Sequence, residues 1–131
     1  MYVQTIEDYC RAISKLDRGE GAKSTDLSKE LGLSKITVAI TLKKLIEDGF
    51  VNMKRYGRVR LFPRGKEIAQ KMNFKHRVLE SFFFKKLKMN KQDIHNQAHA
   101  IEHYASDELI EKLYTFIGKP KVDPHGQIIS Y

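Results

Sequence analysis

With 131 residues and 41% apolar content, the chain has enough material for a core of one ordinary domain or two small ones, which excludes disorder. It has no apolar run long enough to span a bilayer, and its opening, MYVQTIEDYC, places acids where a signal peptide carries bases. The lone cysteine, Cys10, excludes an internal disulfide framework and fits a reducing compartment, so a soluble cytoplasmic protein is expected.

The formal charge of +8 is not spread evenly. Between Lys23 and Lys66 there are 11 Lys/Arg against 4 Asp/Glu, a net +7, and the remainder carries +1. Positive charge concentrated in this way marks a polyanion partner, because each neutralised phosphate releases counterions.

In chain order, residues 5–18 place Ile6, Tyr9, Cys10, Ile13 and Leu16 on one helical stripe, and the glycines of GEGAK end it. Two short helical patterns follow around Gly32. Ser24 or Thr25 is expected to cap the first and Ser34 the second. Leu27 and Leu31 point inward from the first, and Val38, Leu42, Leu45 and Ile46 from the second, which stops at Gly49. Two strands near 50–54 and 58–62, joined through Tyr56-Gly57, make a basic hairpin. Helix-turn-helix plus hairpin is a winged helix, a module that binds DNA and in other cases protein. Pro63 opens a long helix reaching about residue 88, and helices at 91–104 and 106–117 follow, the last capped by Ser106 and stopped by Gly118 and Pro120. The tail KPKVDPHGQIISY has no helical period. The expected fold is mainly α with a small β-hairpin wing: a winged-helix domain over 1–71, then a helical domain over 72–131.

Four of the five histidines, His76, His95, His99 and His103, fall within 28 residues. On a helix over 91–104, His95, His99, Glu102 and His103 share one stripe, and His76 with Glu80 forms another pair at i, i+4. Imidazole and carboxylate together suit Mn, Fe, Co, Ni or Zn. Surface or core histidines are the plain alternative, although stacked protonated imidazoles would repel. His99-Ala-Ile-Glu102-His103 also matches the His-x-x-Glu-His of an inverted zinc protease, but the 28 residues after His103 leave little for a substrate site, so no enzyme is expected. Cys10, on the apolar stripe, reads as core rather than nucleophile.

These residues bring a resemblance into view. EDYCRAI, LFPRGKEIAQKM running into KHRVLE, HNQAHAIEHYASDELIEKL and DPHGQI occur in the order found in the diphtheria-toxin-repressor family of iron- and manganese-dependent regulators, which the chain resembles from Glu7 to Ile128. The resemblance implies a metal-dependent repressor without an SH3-like third domain, close to the manganese transport branch. It implies a primary site of Asp8, Glu102 and His103, with His99 where the iron branch has cysteine and the manganese branch glutamate. That difference favours Zn, Co or Fe over Mn. An ancillary site would use His76, Glu80 and His95. Arg11 stands where the manganese branch has a second glutamate, so a close dinuclear manganese centre is not expected.

As a repressor the chain would form a homodimer on an approximately palindromic operator, with divalent metal as co-repressor. Ser34, Lys35, Ile36, Thr37 and Thr41 are the candidates to face bases or phosphates, with Thr37 or Ile36 against a thymine methyl. Lys54, Arg55, Arg58 and Arg60, and less strongly Thr25, are phosphate candidates. The competing readings are a metal-independent winged-helix regulator with structural histidines and a small zinc hydrolase.

Overall fold

In the computed structural model, which describes residues 2–130, α1 runs Tyr2–Leu16, starting and ending earlier than the 5–18 expected. It is followed by β1 (Ala22–Lys23), α2 (Ser24–Leu31), α3 (Lys35–Glu47), β2 (Val51–Met53), β3 (Arg58–Leu61), α4 (Pro63–Lys85), α5 (Lys91–Ile101) and α6 (Asp107–Phe116). The chain divides into two compact units, Met1–Gln70 and Lys71–Tyr131, and α4 contributes its first turns to one and the rest to the other.

The first unit is a winged helix. Tyr9, Cys10, Ile13, Leu27, Val38, Leu45, Val51 and Val59 are buried in its core, and Leu31 and Ile46 pack against them partly exposed. Burial pushes the Cys10 thiol up to about 12, aided by the charge of Glu7, so it is packing material and not a nucleophile. The wing is a three-stranded antiparallel sheet in the order β1-β3-β2, with Val51 opposite Leu61 and Ala22 opposite Val59. At its tip both Tyr56 (φ 62°) and Gly57 (φ 70°) adopt left-handed backbone. Ser34 caps α3 as expected, accepting from the Thr37 amide, and Gly49 is left-handed at φ 83°. Neither Ser24 nor Thr25 caps α2. Both lie inside the helix, and the N-cap is Lys23, fixed by its strand pairing to Arg58 and offering no side-chain acceptor.

Gly65 in the first turn of α4 is held by contact. A Cβ there would lie 2.5 Å from the Phe50 carbonyl oxygen and 2.9 Å from Leu61 Cδ2. Glycine to alanine inside a helix ordinarily gains about 1 kcal/mol. Gly65→Ala is instead expected to lose about 1–3 kcal/mol, because backbone and wing must yield. A urea-unfolding midpoint that rises in this variant would refute the close approach.

The second unit packs Phe74, Val78, Leu79, Phe83, Ile94, Ala98, Ile110, Ile117 and Ile129 into a separate core. α4 stops at Lys85, short of residue 88, and Lys88 turns left-handed at φ 57°. α5 also stops early, at Ile101 rather than 104, which removes His103 from the helix. Lys75, itself buried, donates from Nζ to the Ala105 carbonyl at 2.7 Å and lies 3.2 Å from an Asp107 oxygen, fixing the α5–α6 connection. Ser106 caps α6 as expected.

The tail is ordered by Asp123. Its Oδ1 accepts from the amides of His125 and Gln127, both at 2.9 Å, and Val122 bridges Ile128. Arg77 of α4 pins this turn by donating to the Ile128 carbonyl at 2.9 Å and to Gln127 Oε1 at 3.1 Å.

Candidate metal centre and nucleic-acid interface

Glu80 sits on α4 in the second unit, buried to 2% exposure. Its Oε2 is ringed by nitrogen: His76 Nε2 at 3.3 Å, His125 Nε2 at 3.4 Å and His95 Nδ1 at 3.7 Å. His76 Nε2 and His95 Nδ1 are themselves 3.1 Å apart. Burial alone would raise the Glu80 carboxyl, but His76, then His125 and His95, hold it below the usual range. Even so, Oε2 takes no hydrogen bond of acceptable geometry among the described residues. A buried carboxylate oxygen left without a hydrogen bond inside a ring of imidazole nitrogens is what a divalent transition metal fits. The structure thus brings together His76, Glu80 and His95, whose candidate ligand atoms all lie within 4.8 Å of one another.

His125 is the residue that sequence reasoning missed. The tail has no helical period and gave His125 no ligand role, whereas in the fold the Arg77 and Asp123 contacts order the segment whose ring lies 3.4 Å from Glu80.

Glu102, fully buried at 0% exposure, forms a second focus. Its two oxygens lie 2.6 Å from His76 Nδ1 and 3.2 Å from His99 Nδ1. The His103 ring stands beside His99, with centroids 6.2 Å apart. The expected row of imidazoles on one helix is therefore divided. His95 faces Glu80, His99 faces Glu102, and His103 lies in the turn beyond α5. The His76 ring connects the two foci, one nitrogen toward each carboxylate. Asp8 is half-buried on α1 of the first unit.

In the winged unit, Thr25, Ser34, Lys35, Ile36, Thr37, Lys54 and Arg55 are exposed, and Thr41, Arg58 and Arg60 are half-buried. Arg58 donates to the Gly21 carbonyl at 3.2 Å, and Arg60 Nε pairs with Asp17 Oδ2 at 2.9 Å. Asp17 Oδ1 also accepts from the amides of Gly19 and Gly21, at 2.8 and 2.9 Å. Burial would raise the Asp17 carboxyl, but the Gly19 and Gly21 amides and the Arg60 guanidinium outweigh it and hold it below its ordinary 3.8. A depressed acid contributes stability above its unfolded value and loses it as pH falls through the folded one. Asp17→Asn is therefore expected to destabilise the protein at neutral pH, with the gap to wild type closing below pH 3.8 in urea titrations run across pH. A gap that survives at low pH would assign the effect to shape and not to charge.

Comparison with known proteins accounts for both halves. Residues 1–59 match the iron dependent repressor N-terminal DNA binding domain, and residues 63–130 the iron dependent repressor metal binding and dimerisation domain. The transcriptional regulator MntR of Salmonella typhimurium is 33% identical over 115 residues, covering 86% of this chain and 72% of its own length. An uncharacterized HTH-type transcriptional regulator of Methanocaldococcus jannaschii is 32% identical over 120 residues, covering 90% of this chain and 96% of that protein. The structure of the manganese regulator SloR superposes with a TM-score of 0.84 at 31% identity, covering 96% of this chain, which spans 59% of that protein's length. This chain belongs to the iron dependent repressor family of metal-dependent, DNA-binding transcriptional regulators.

Proposed function

We propose that a divalent transition metal (Mn, Fe, Co or Zn) binds in the second unit and acts as co-repressor for the first. The observation that carries this reading is Glu80 Oε2, buried without a hydrogen bond and faced by three imidazole nitrogens. His76, Glu80, His95 and His125 would hold one ion. Glu102, with His99 and His103, would hold another, and Asp8 is the further oxygen to be tested there. The nitrogen-rich donor set favours Zn, Co or Fe over Mn. When bound, the metal supplies fixed positive charge that holds converging ligands in one arrangement, and differential affinity for that state shifts the population toward DNA binding.

The division of labour follows the sequence boundaries: residues 1–71 contact DNA, and residues 72–131 bind metal and dimerise. A homodimer would place two α3 helices on an approximately palindromic operator controlling metal-uptake or metal-homeostasis genes in the cytoplasm. Catalysis has no part in this reading. Glu102, the base that a His-x-x-Glu-His hydrolase would use, is fully buried and engaged by two imidazoles.

The test is fluorescence anisotropy on a duplex from the protein's own promoter, first in chelator and then with each metal singly. Tightening with metal, reduced in Asp8→Ala and His95→Ala, supports the switch. Equal affinity in chelator would leave a metal-independent DNA-binding protein.

A further inference from the structure

α4 grips the turn after α5 at three points, taken in chain order. His76 Nδ1 lies 2.6 Å from a Glu102 oxygen, Lys75 Nζ donates to the Ala105 carbonyl at 2.7 Å, and Lys71 Nζ donates to Asp107 Oδ2 at 2.9 Å. Lys75 also lies 3.2 Å from Asp107 Oδ1, so one carboxylate joins both lysines. Glu102 and His103 stand within the segment so held.

The Ala105 carbonyl needs such a partner. α5 ends at Ile101, whose carbonyl takes the amides of Tyr104 and Ala105 at 3.0 and 3.2 Å, and α6 starts from the Ser106 cap. Ala105 therefore belongs to neither helix, yet it is buried, and a buried carbonyl left unpaired is costly. Lysine is a demanding choice for the donor, because its long side chain loses much rotamer freedom and is almost never buried unless paired. Lys75 is nevertheless only 7% exposed. What it supplies is direction. It ties the turn to the residue next to His76, whose ring faces both Glu102 and Glu80, so the turn and that ring are set from the same point on α4.

We propose that Lys75 is a positioning residue for metal: its bond to Ala105 presets the turn that presents Glu102 and His103. The inference rests on the reading that these two residues, with His99, hold an ion. Ligands on a turn are placed less precisely than ligands inside a helix and need a supporting shell, and loss of such a partner typically costs about 10–100-fold in metal affinity.

The experiment measures zinc affinity of the full chain, by competition against a chelating dye, in two backgrounds. His95→Ala leaves the Glu102 focus to be read, and His103→Ala leaves the Glu80 focus. Lys75→Met keeps the apolar stem and deletes the donor. It is expected to lower zinc affinity about 10–100-fold in the first background and to leave it unchanged in the second. General loosening of the unit would lower both alike, and that result, or no loss in either, overturns the proposal. A second measurement needs no variant. In chelator, the wild-type amides of Tyr104 and Ala105 should resist hydrogen exchange as strongly as those in the last turn of α5. Unprotected exchange there means that the turn is not preset, and overturns the proposal even where Lys75→Met fails to fold. A wild-type chain that binds no zinc, cobalt or manganese removes the metal reading and the proposal with it, a result distinguishable from zinc bound equally well with and without Lys75.

Discussion

Glu102→Ala is expected to abolish the metal response, so that DNA affinity in saturating metal matches affinity in chelator. Coupling between two ligands of one protein typically changes affinity by about 5–150-fold, and that is the gain expected for wild type. In the proposed switch Glu102 is the side chain whose loss should cost most. It has no exposed surface, and its two oxygens meet His76 and His99 at 2.6 and 3.2 Å. Removing it deletes a carboxylate proposed as a ligand and takes one carboxylate contact from each of two imidazoles. His76 also faces Glu80, so the damage should reach the other focus, and metal affinity measured by calorimetry should fall at both. Glu102→Gln separates charge from shape: it fills the same volume, keeps one acceptor oxygen and lacks the anion. If Glu102→Gln binds metal and DNA as wild type does, the carboxylate is not a ligand. If both variants lose the response while melting as wild type does in chelator, the metal role stands.

The winged helix was legible because its signals are local. The stripe of Ile6, Tyr9, Cys10, Ile13 and Leu16, the Ser34 cap and the Tyr56-Gly57 turn each declare themselves within a few residues. β1 was not legible. Two residues carry no period, and that strand exists because Gly21, without a Cβ, approaches the Val59 carbonyl, to which an added Cβ would lie 3.0 Å away. The proposed metal ligands were legible as types but not as partners. A row of histidines four apart reads as a continuing helix through 104, yet α5 ends at Ile101. No glycine or proline marks the stop. Lys75, 30 residues from Ala105 in sequence, takes the Ala105 carbonyl, and Ser106 begins the next cap. The pairing of His125 with Glu80 is likewise set by tertiary contacts, through Arg77 and the Asp123 turn.

The wing offers the second large effect, and the structure divides its four cations into two kinds. Lys54 and Arg55 are exposed at the turn, whereas Arg58 and Arg60 also serve the fold, through Gly21 and Asp17. A protein contacting phosphates loses affinity as salt rises, and each lost contact makes the log–log slope shallower by about one. Lys54→Ala combined with Arg55→Ala should therefore reduce the slope by about two per subunit, weaken specific and random duplexes alike, and leave thermal stability unchanged. Arg60→Ala should differ in kind. It removes one unit of slope and also strips Asp17 of its guanidinium, so the melting temperature falls as well. Asp17→Asn sharpens the distinction. By charge alone, removing an anion from a basic face should tighten DNA binding. If Asp17 instead holds Arg60 and the wing in place, binding weakens while the number of cations stays the same. A salt slope that is unchanged in the Lys54 and Arg55 double variant would take the turn of the wing off the phosphate backbone.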